Sequence, residues 1–360
     1  MTVYTCYGTS FRLSLPRALR LRPALSGRIL WLPAGAKPYN HPVELSPGLS
    51  VIVPIYKSLE CLPDLYRRLT DCLGAMGREY EIILVEDGGG DGSWEYIREL
   101  AAKDKRVKTL KLSRNFGQHN ALLCGIRAAN REIAVTIDDD LQNPPEEIPA
   151  LLAKLDQGFD VVYGTPDNER HGFLRDMASV VTKLVLQEAM GAGTARKVSA
   201  FRVFRTRLRV AFERFHTPYL SIDVLLTWGT NRFSSVTVRH DKRSAGVSNY
   251  TLGKLFNHAM NMMTGFSTVP LRLASWMGFV FTLFGLLILA FVVIRYFVHG
   301  ESVPGFPFLA SIISIFSGAQ LFALGVIGEY LARMHLRSLA KPPYVIEAAA
   351  GGFPLAPTAG

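Results

Sequence analysis

The sequence predicts an α/β domain on a mostly parallel sheet, followed by a two-helix transmembrane hairpin. Three observations carry this. Short β-branched runs alternate with helical patterns between residues 48 and 165. Two long runs near the C-terminus carry no charge, and Lys and Arg gather outside those runs. Of the 360 residues, 49% are hydrophobic and only 19% are charged. Soluble domains carry about 25% charge, so the chain leans toward a membrane, and it is too apolar for disorder throughout. Forty Lys and Arg against thirty Asp and Glu give a net charge of +10. That balance suits an anionic membrane surface, nucleic acid or a phosphorylated substrate.

The first strand is LSVIVPIY (49–56), apolar and β-branched as a buried parallel strand should be. A helical pattern follows through Leu73. EIILVED (81–87) is a strand and SWEYIRELAAKD a helix; VKTLKLS (107–113) is a strand and QHNALLCGIRAA a helix. EIAVTIDD (132–139) is a strand, Pro145 opens another helix, and DVVYGT (160–165) is a fifth strand. Such alternation gives a parallel sheet with helices on both faces. Ligands of such sheets gather at the C-terminal ends of the strands.

Leu273–Ile294 and Ser302–Gly328 are charge-free, and each exceeds the ~20 residues that cross a bilayer as a helix. Lys254 and Arg272 precede the pair, and Arg333, Arg337 and Lys341 follow it. The link holds only His299 and Glu301, with Arg295 close by. Both outer flanks are therefore expected on the cytoplasmic side, with the large N-terminal domain. The expected divisions are an N-terminal extension (1–47), a catalytic domain (48–245), a juxtamembrane amphipathic segment (246–271), the hairpin (272–332) and a cytoplasmic tail (333–360). Residues 348–360 are rich in Ala, Gly and Pro. In the extension, Arg12, Arg17, Arg20, Arg22 and Arg28 interrupt every apolar stretch, so no signal-peptide core forms, and no role is assigned. Cys6, Cys61, Cys72 and Cys124 form no CxxC pair and are expected as free thiols.

The strongest chemical signal is Asp138, Asp139 and Asp140 at a strand end. Three adjacent carboxylates repel one another unless a cation or solvent relieves them. Alternation along an extended chain puts Asp138 and Asp140 on one face and Asp139 on the other, with Gln142 in phase. Two carboxylates on one face suit Mg²⁺ or Mn²⁺ held jointly with substrate phosphates. Asp87 ends a second strand at the same rim. No GxGxxG follows the first strand and no GxxxxGK[ST] occurs, which excludes those two nucleotide sites. GGGDGS (88–93) is read as a turn and helix cap through Asp91 or Ser93.

VIVPIY, VEDGGGDGS, LSRNFGQHNA, TIDDDLQNPPEEI and RSAGVSNYTLGKL together resemble the family 2 glycosyltransferases of the GT-A (Rossmann-like) fold, and more narrowly the polyprenyl-phosphate glycosyltransferases. The likeness runs over about residues 48–345. It implies that Pro54 and Tyr56 flank the nucleotide base and that Asp87 touches it. It also implies that Asp138 and Asp140 hold the metal and diphosphate with Gln142 as accessory, and that Arg114, Asn115 and Gly117 lie beside the donor. Arg202 and Arg205 match an arginine-bearing segment of the family, and Arg202 is expected to bind the acceptor phosphate or the diphosphate. Arg243, Gly246, Ser248 and Tyr250 match the stretch near the phosphates of donor and acceptor. The chain departs from the family in three places: Glu86 replaces the usual first aspartate, Pro166 a usual arginine, and Ala200 a usual aspartate. Arg170 and Arg175 are candidates to take over the arginine's phosphate contact.

The resemblance implies an inverting, metal-dependent transfer from a nucleotide sugar, with a lean to UDP, to polyprenyl phosphate, with undecaprenyl phosphate the bacterial case. The setting is the cytoplasmic face of the plasma (inner) membrane. Asp139 is the alternative catalytic carboxylate. Family members assemble as homo-oligomers, and Gly278, Gly285, Gly318 and Gly325 permit close helix packing. The basic residues bracket the spans and form no single stripe, which argues against nucleic acid. Arg207 and Arg209 are read as a solvated helix face or a lipid contact. Two rival functions stay open: a processive polysaccharide synthase, although QxxRW is absent, and an inactive nucleotide-sugar-binding scaffold.

Overall fold

The computed structural model describes residues 45–166, 198–213, 215, 220–241, 269–299, 305–339 and 341–352. Strand β1 (Ser46–Ile55) is buried on both faces from Leu49 onward. Helix α1 (Leu62–Ala75) has Pro63 in its first turn, where a missing N–H costs nothing, and buries Leu62, Leu65, Leu69 and Leu73 along one stripe. The chain continues through β2 (Tyr80–Glu86), α2 (Ser93–Lys103), β3 (Val107–Leu112), α3 (Gln118–Ala128), β4 (Arg131–Thr136), α4 (Ile148–Leu155) and β5 (Val161–Pro166). Then come β6 (Arg202–Arg205), α5 (Ile222–Thr227) and β7 (Phe233–Val238). All five expected strands are present.

The strands form one sheet in the order β7-β5-β6-β4-β1-β2-β3-β8, where β8 is Ile346–Ala350. β6 and β8 run against the other six. Alternate side chains feed two cores. Ile52, Ile83 and Val85 join α3 and α5 on one face, and Val51, Val53, Ile82 and Leu84 join α1, α2 and α4 on the other. Each such Val, Leu or Ile contributes about 1.5–3 kcal/mol by leaving water. The order reverses at β1, with β2 on one side and β4 on the other, which opens a crevice at their C-terminal ends.

Three findings depart from the sequence reading. β4 ends at Thr136, three residues before the predicted end, because the acidic run turns away from the sheet. Arg209 is half-buried and engaged within the protein. Its guanidinium donates to the carbonyls of Ile126 and Arg127, both at 3.2 Å, and to that of Ala129, closing the C-terminus of α3. Residues 346–350, which run into the Ala-rich stretch, form an edge strand.

Helices α6 (Val269–His299) and α7 (Phe306–Ser338) are long and apolar enough to cross a membrane. They touch where Phe281 meets Phe316, ring centroids 5.8 Å apart, and Gly285 lets that ring approach. Gly278, Gly318 and Gly325 face open space. Residues 1–44 and 242–268 lie outside the described residues, and with them nearly all of the expected extension and juxtamembrane segment.

Gly125 is the tightest joint between α3 and the sheet: a Cβ there would sit 2.4 Å from Ile52 Cγ2 and 3.2 Å from Val85 Cγ2. Gly125→Ala should destabilise the domain by about 1–3 kcal/mol through overpacking. A thermal melt in detergent reads this as a lowered Tm; an unchanged Tm contradicts the packing described.

Candidate active site

The crevice at the switch point is a cleft of about 230 Å³, lined by Pro54 and Ile55 at the end of β1 and Tyr56 just after it, Asp87 after β2, Asn115 and Gly117 before α3, Gln118 at its start, and Asp138, Asp139 and Asp140 after β4. A larger hollow of about 460 Å³ opens at the opposite rim of the sheet. There Asp160 already pairs with Arg207 at 3.2 Å and with Arg232 at 2.9 Å, and no carboxylate cluster faces the space. The chemistry belongs to the smaller cleft.

Asp87 is buried and accepts the N–H groups of Phe116 at 2.7 Å and Gly117 at 2.8 Å. It thus ties the end of β2 to the loop between β3 and α3. Gly88 (φ +67) makes this approach possible, since a Cβ there would lie 2.5 Å from the Arg114 carbonyl carbon and the Asn115 nitrogen. Burial pushes the Asp87 carboxyl up to about 6, against the pull of its two amide donors. Glu86, the unusual residue, is buried too. Its Oε1 accepts the Gly89 N–H and its Oε2 has no protein partner. An orphaned buried carboxylate oxygen at this rim suits a donor group on a bound ligand.

The three aspartates do not alternate as on a strand. Past Thr136 the chain is in a turn, and Leu141 adopts the left-handed region (φ 60), which costs about 1–2 kcal/mol. All three therefore line the cleft. Asp139, expected to point away, accepts the Tyr56 N–H at 3.1 Å and the Ser58 hydroxyl, stitching the β1 loop to the acidic turn. Asp138 accepts from Gln118 Nε2 at 2.6 Å, and Asp140 accepts the Gln142 N–H at 3.1 Å. Gln142 does so through its backbone, and its side chain is not among those lining the cleft. Burial, then Asp140, then Asp139 raise the Asp138 carboxyl to about 7, opposed by Arg202 and Gln118.

The remaining predicted residues divide. Pro54 and Tyr56 line the cleft as expected. Arg114 is exposed on the adjoining loop, its guanidinium 4.6 Å from the Phe116 ring centroid. Arg202 is fully buried beneath the floor, paired with Asp223, whose Oδ1 also accepts the Tyr163 hydroxyl at 3.1 Å. It does not line the cleft, so the expected phosphate contact is not where the structure puts this guanidinium; it acts on Asp138 through charge. Arg170, Arg175, Arg243 and Ser248 lie outside the described residues. Gln118, Ser58 and the Tyr163–Arg202–Asp223 network were missed; Gln118 reads as an ordinary first helical residue.

Residues 50–209 match the family model described as glycosyl transferase family 2. This segment is a glycosyl transferase family 2 domain. The fold is GT-A, as expected. The chain is similar to solved structures of glucosyl-3-phosphoglycerate synthase from Mycobacterium tuberculosis. With Mn²⁺, UDP and glucosyl-3-phosphoglycerate the identity is 17%, covering 61% of this chain and 78% of that one, at a TM-score of 0.43. With Mn²⁺, UDP-glucose and phosphoglyceric acid the identity is 18%, with the same coverage and a TM-score of 0.43. With Mg²⁺ and UDP the identity is 16%, covering 61% and 77%, at a TM-score of 0.42.

Among the described residues, no group of three or more His, Cys, Asp or Glu side chains is placed to hold a metal by itself. Asp138 and Asp140 in the family 2 domain instead offer two mutually repelling carboxylates on an open cleft. That donor set fits a hard cation completing its shell with substrate oxygens.

Asp138 also predicts a pH effect. Its carboxyl sits well above the ordinary aspartate range, so folding favours the protonated acid, and this destabilises the fold progressively as pH rises from about 4 to about 7. In metal-free protein, Asp138→Asn should raise Tm at pH 8, and the gain should fade toward pH 4. A gain that is constant with pH contradicts the assignment.

Proposed function

We propose that this protein transfers a glycosyl group from a nucleoside-diphosphate sugar, preferring UDP, to a polyprenyl phosphate such as undecaprenyl phosphate, with inversion, at the cytoplasmic face of the plasma (inner) membrane. One observation carries the reading: a family 2 domain with an acidic switch-point cleft continues into two apolar helices, and the chain then returns as β8 to the same sheet. That return supports a hairpin with both ends on the catalytic side. The cationic flanks support the cytoplasmic orientation. An acceptor phosphate on a lipid would meet the cleft at that surface.

The acceptor is a phosphate monoester with a second pKa near ~6, so it is mostly dianionic at neutral pH. One of its oxygens attacks the anomeric carbon while the bond from that carbon to the diphosphate oxygen breaks. The nucleoside diphosphate leaves with the electron pair, and no proton need move. Asp139, engaged with Tyr56 and Ser58, serves as a tether and not as a base. Asp87 and its loop hold the nucleoside end, and Tyr56, 44% exposed beside the cleft, offers a face to the base. When bound at Asp138 and Asp140, Mg²⁺ or Mn²⁺ would neutralise charge developing on the leaving diphosphate. Arg114, exposed on the adjoining loop, would share that load; Arg243 and Ser248 are proposed phosphate contacts from the sequence resemblance, and Arg170 and Arg175 replacements for the family arginine that Pro166 displaces.

The test is transfer of radiolabel from UDP-, GDP- and dTDP-sugars, offered singly, to undecaprenyl phosphate by detergent-purified protein. Label should enter the organic phase, vanish with EDTA, and fall by about 10²–10³-fold in Asp140→Ala. Folded protein that transfers label from no donor contradicts the reading and favours the scaffold. Chain extension beyond one sugar favours the processive synthase.

A further inference from the structure

The strand β8 has an unusual position. It is the last described element, it follows the second apolar helix, and it pairs antiparallel with β3, placing Leu112 opposite Ile346 and Thr109 opposite Ala350. β3 feeds directly into the loop whose Phe116 and Gly117 amides grip Asp87. The pairing runs to the start of that loop, where the Ser113 N–H donates to the Val345 carbonyl at 2.9 Å. Lys111 pairs with Glu347 at 3.1 Å on the same edge.

The segment also grips α3, which leaves the other side of the loop. Tyr344 is half-buried against the α3 face of the core, 5.8 Å from the Arg127 guanidinium, with its hydroxyl within reach of Cys124 and Arg127. Gln118, at the far end of α3, holds Asp138. Both elements that frame the loop are thus tied to one short piece of chain. The stretch from Ser338, the end of α7, to Tyr344 can span at most about 20 Å.

We infer that Tyr344–Ala350 is a clamp that positions the Ser113–Gln118 loop for nucleotide binding and links it to the second apolar helix. Tyr344 is its positioning residue, acting through α3 and touching no substrate. The nucleotide part rests on the function proposed above; the clamp itself does not.

Two full-length variants release the clamp at opposite ends. Tyr344→Ala removes the ring from α3. Gly351→Val puts a Cβ where the Val107 carbonyl oxygen lies 2.2 Å away, at φ +83, and drives the end of β8 off β3. Amide exchange at Phe116 and Gly117 should accelerate at least about tenfold in both variants, with Val51–Val53 in the central strand still protected. The Kd for UDP with Mn²⁺ should rise about tenfold, and Tyr344→Phe, which keeps the ring, should restore most of the affinity. Unchanged protection of Phe116 and Gly117 once Ser113 exchanges freely overturns the clamp. So do β8 amides that exchange in the wild type as fast as free chain, a result that needs no variant. Wild-type protein that binds no UDP would instead count against the proposed function, and the exchange measurement would still decide the clamp.

Discussion

Four carboxylates share the rim of one crevice, and the cost of burying them there is the constraint around which the structure is arranged. Asp138, Asp139 and Asp140 come from a single turn, and Asp87 comes from the neighbouring strand's end. Left alone they would push the turn apart or take up protons. The fold answers with neutral donors and distant charge. Gln118 serves Asp138, the Tyr56 amide and Ser58 serve Asp139, and the Phe116 and Gly117 amides serve Asp87. Arg202 stays below the floor, neutralised by Asp223, where it tempers Asp138 without occupying the cleft. The net negative charge left on Asp138 and Asp140 suits a hard cation shared with substrate oxygens.

These tethers also join elements far apart in sequence. Each loop of the crevice is held by a group from another loop, so the cleft's shape belongs to the sheet as a whole. The close approach of Gly125 to Ile52 fixes α3, and α3 fixes Gln118. The edge strand β8 extends the same logic to the far side of the apolar helices.

Much of this was legible in the sequence. The five parallel strands announced themselves because strands buried on two faces read as continuous apolar runs. The two long apolar helices did so through length and lack of charge. Asp87 and the aspartate triplet stood out because carboxylates at the ends of apolar strands are costly unless used. What stayed hidden has a common cause: contacts between residues far apart in sequence. Arg202 reads as a phosphate ligand until β6 and α5 are brought together and Asp223 pairs with it, and Arg209 looks solvated until α3 ends beside it. β8 is composed of IEAAA, which has weak strand preference by itself; pairing with β3 makes it a strand. The alternation rule misplaced Asp139 because β4 had already ended.

The crevice is proposed to be a cation-dependent nucleoside diphosphate site built on Asp138 and Asp140. Calorimetric titration of UDP into the full-length protein, with and without Mn²⁺ and in two buffers of different ionisation heat, tests it most directly. The account predicts binding only with Mn²⁺. It also predicts a buffer-dependent heat near pH 6.5, because a cation displaces the proton that Asp138 retains there. Equal affinity without the cation, or a heat independent of buffer, would contradict it.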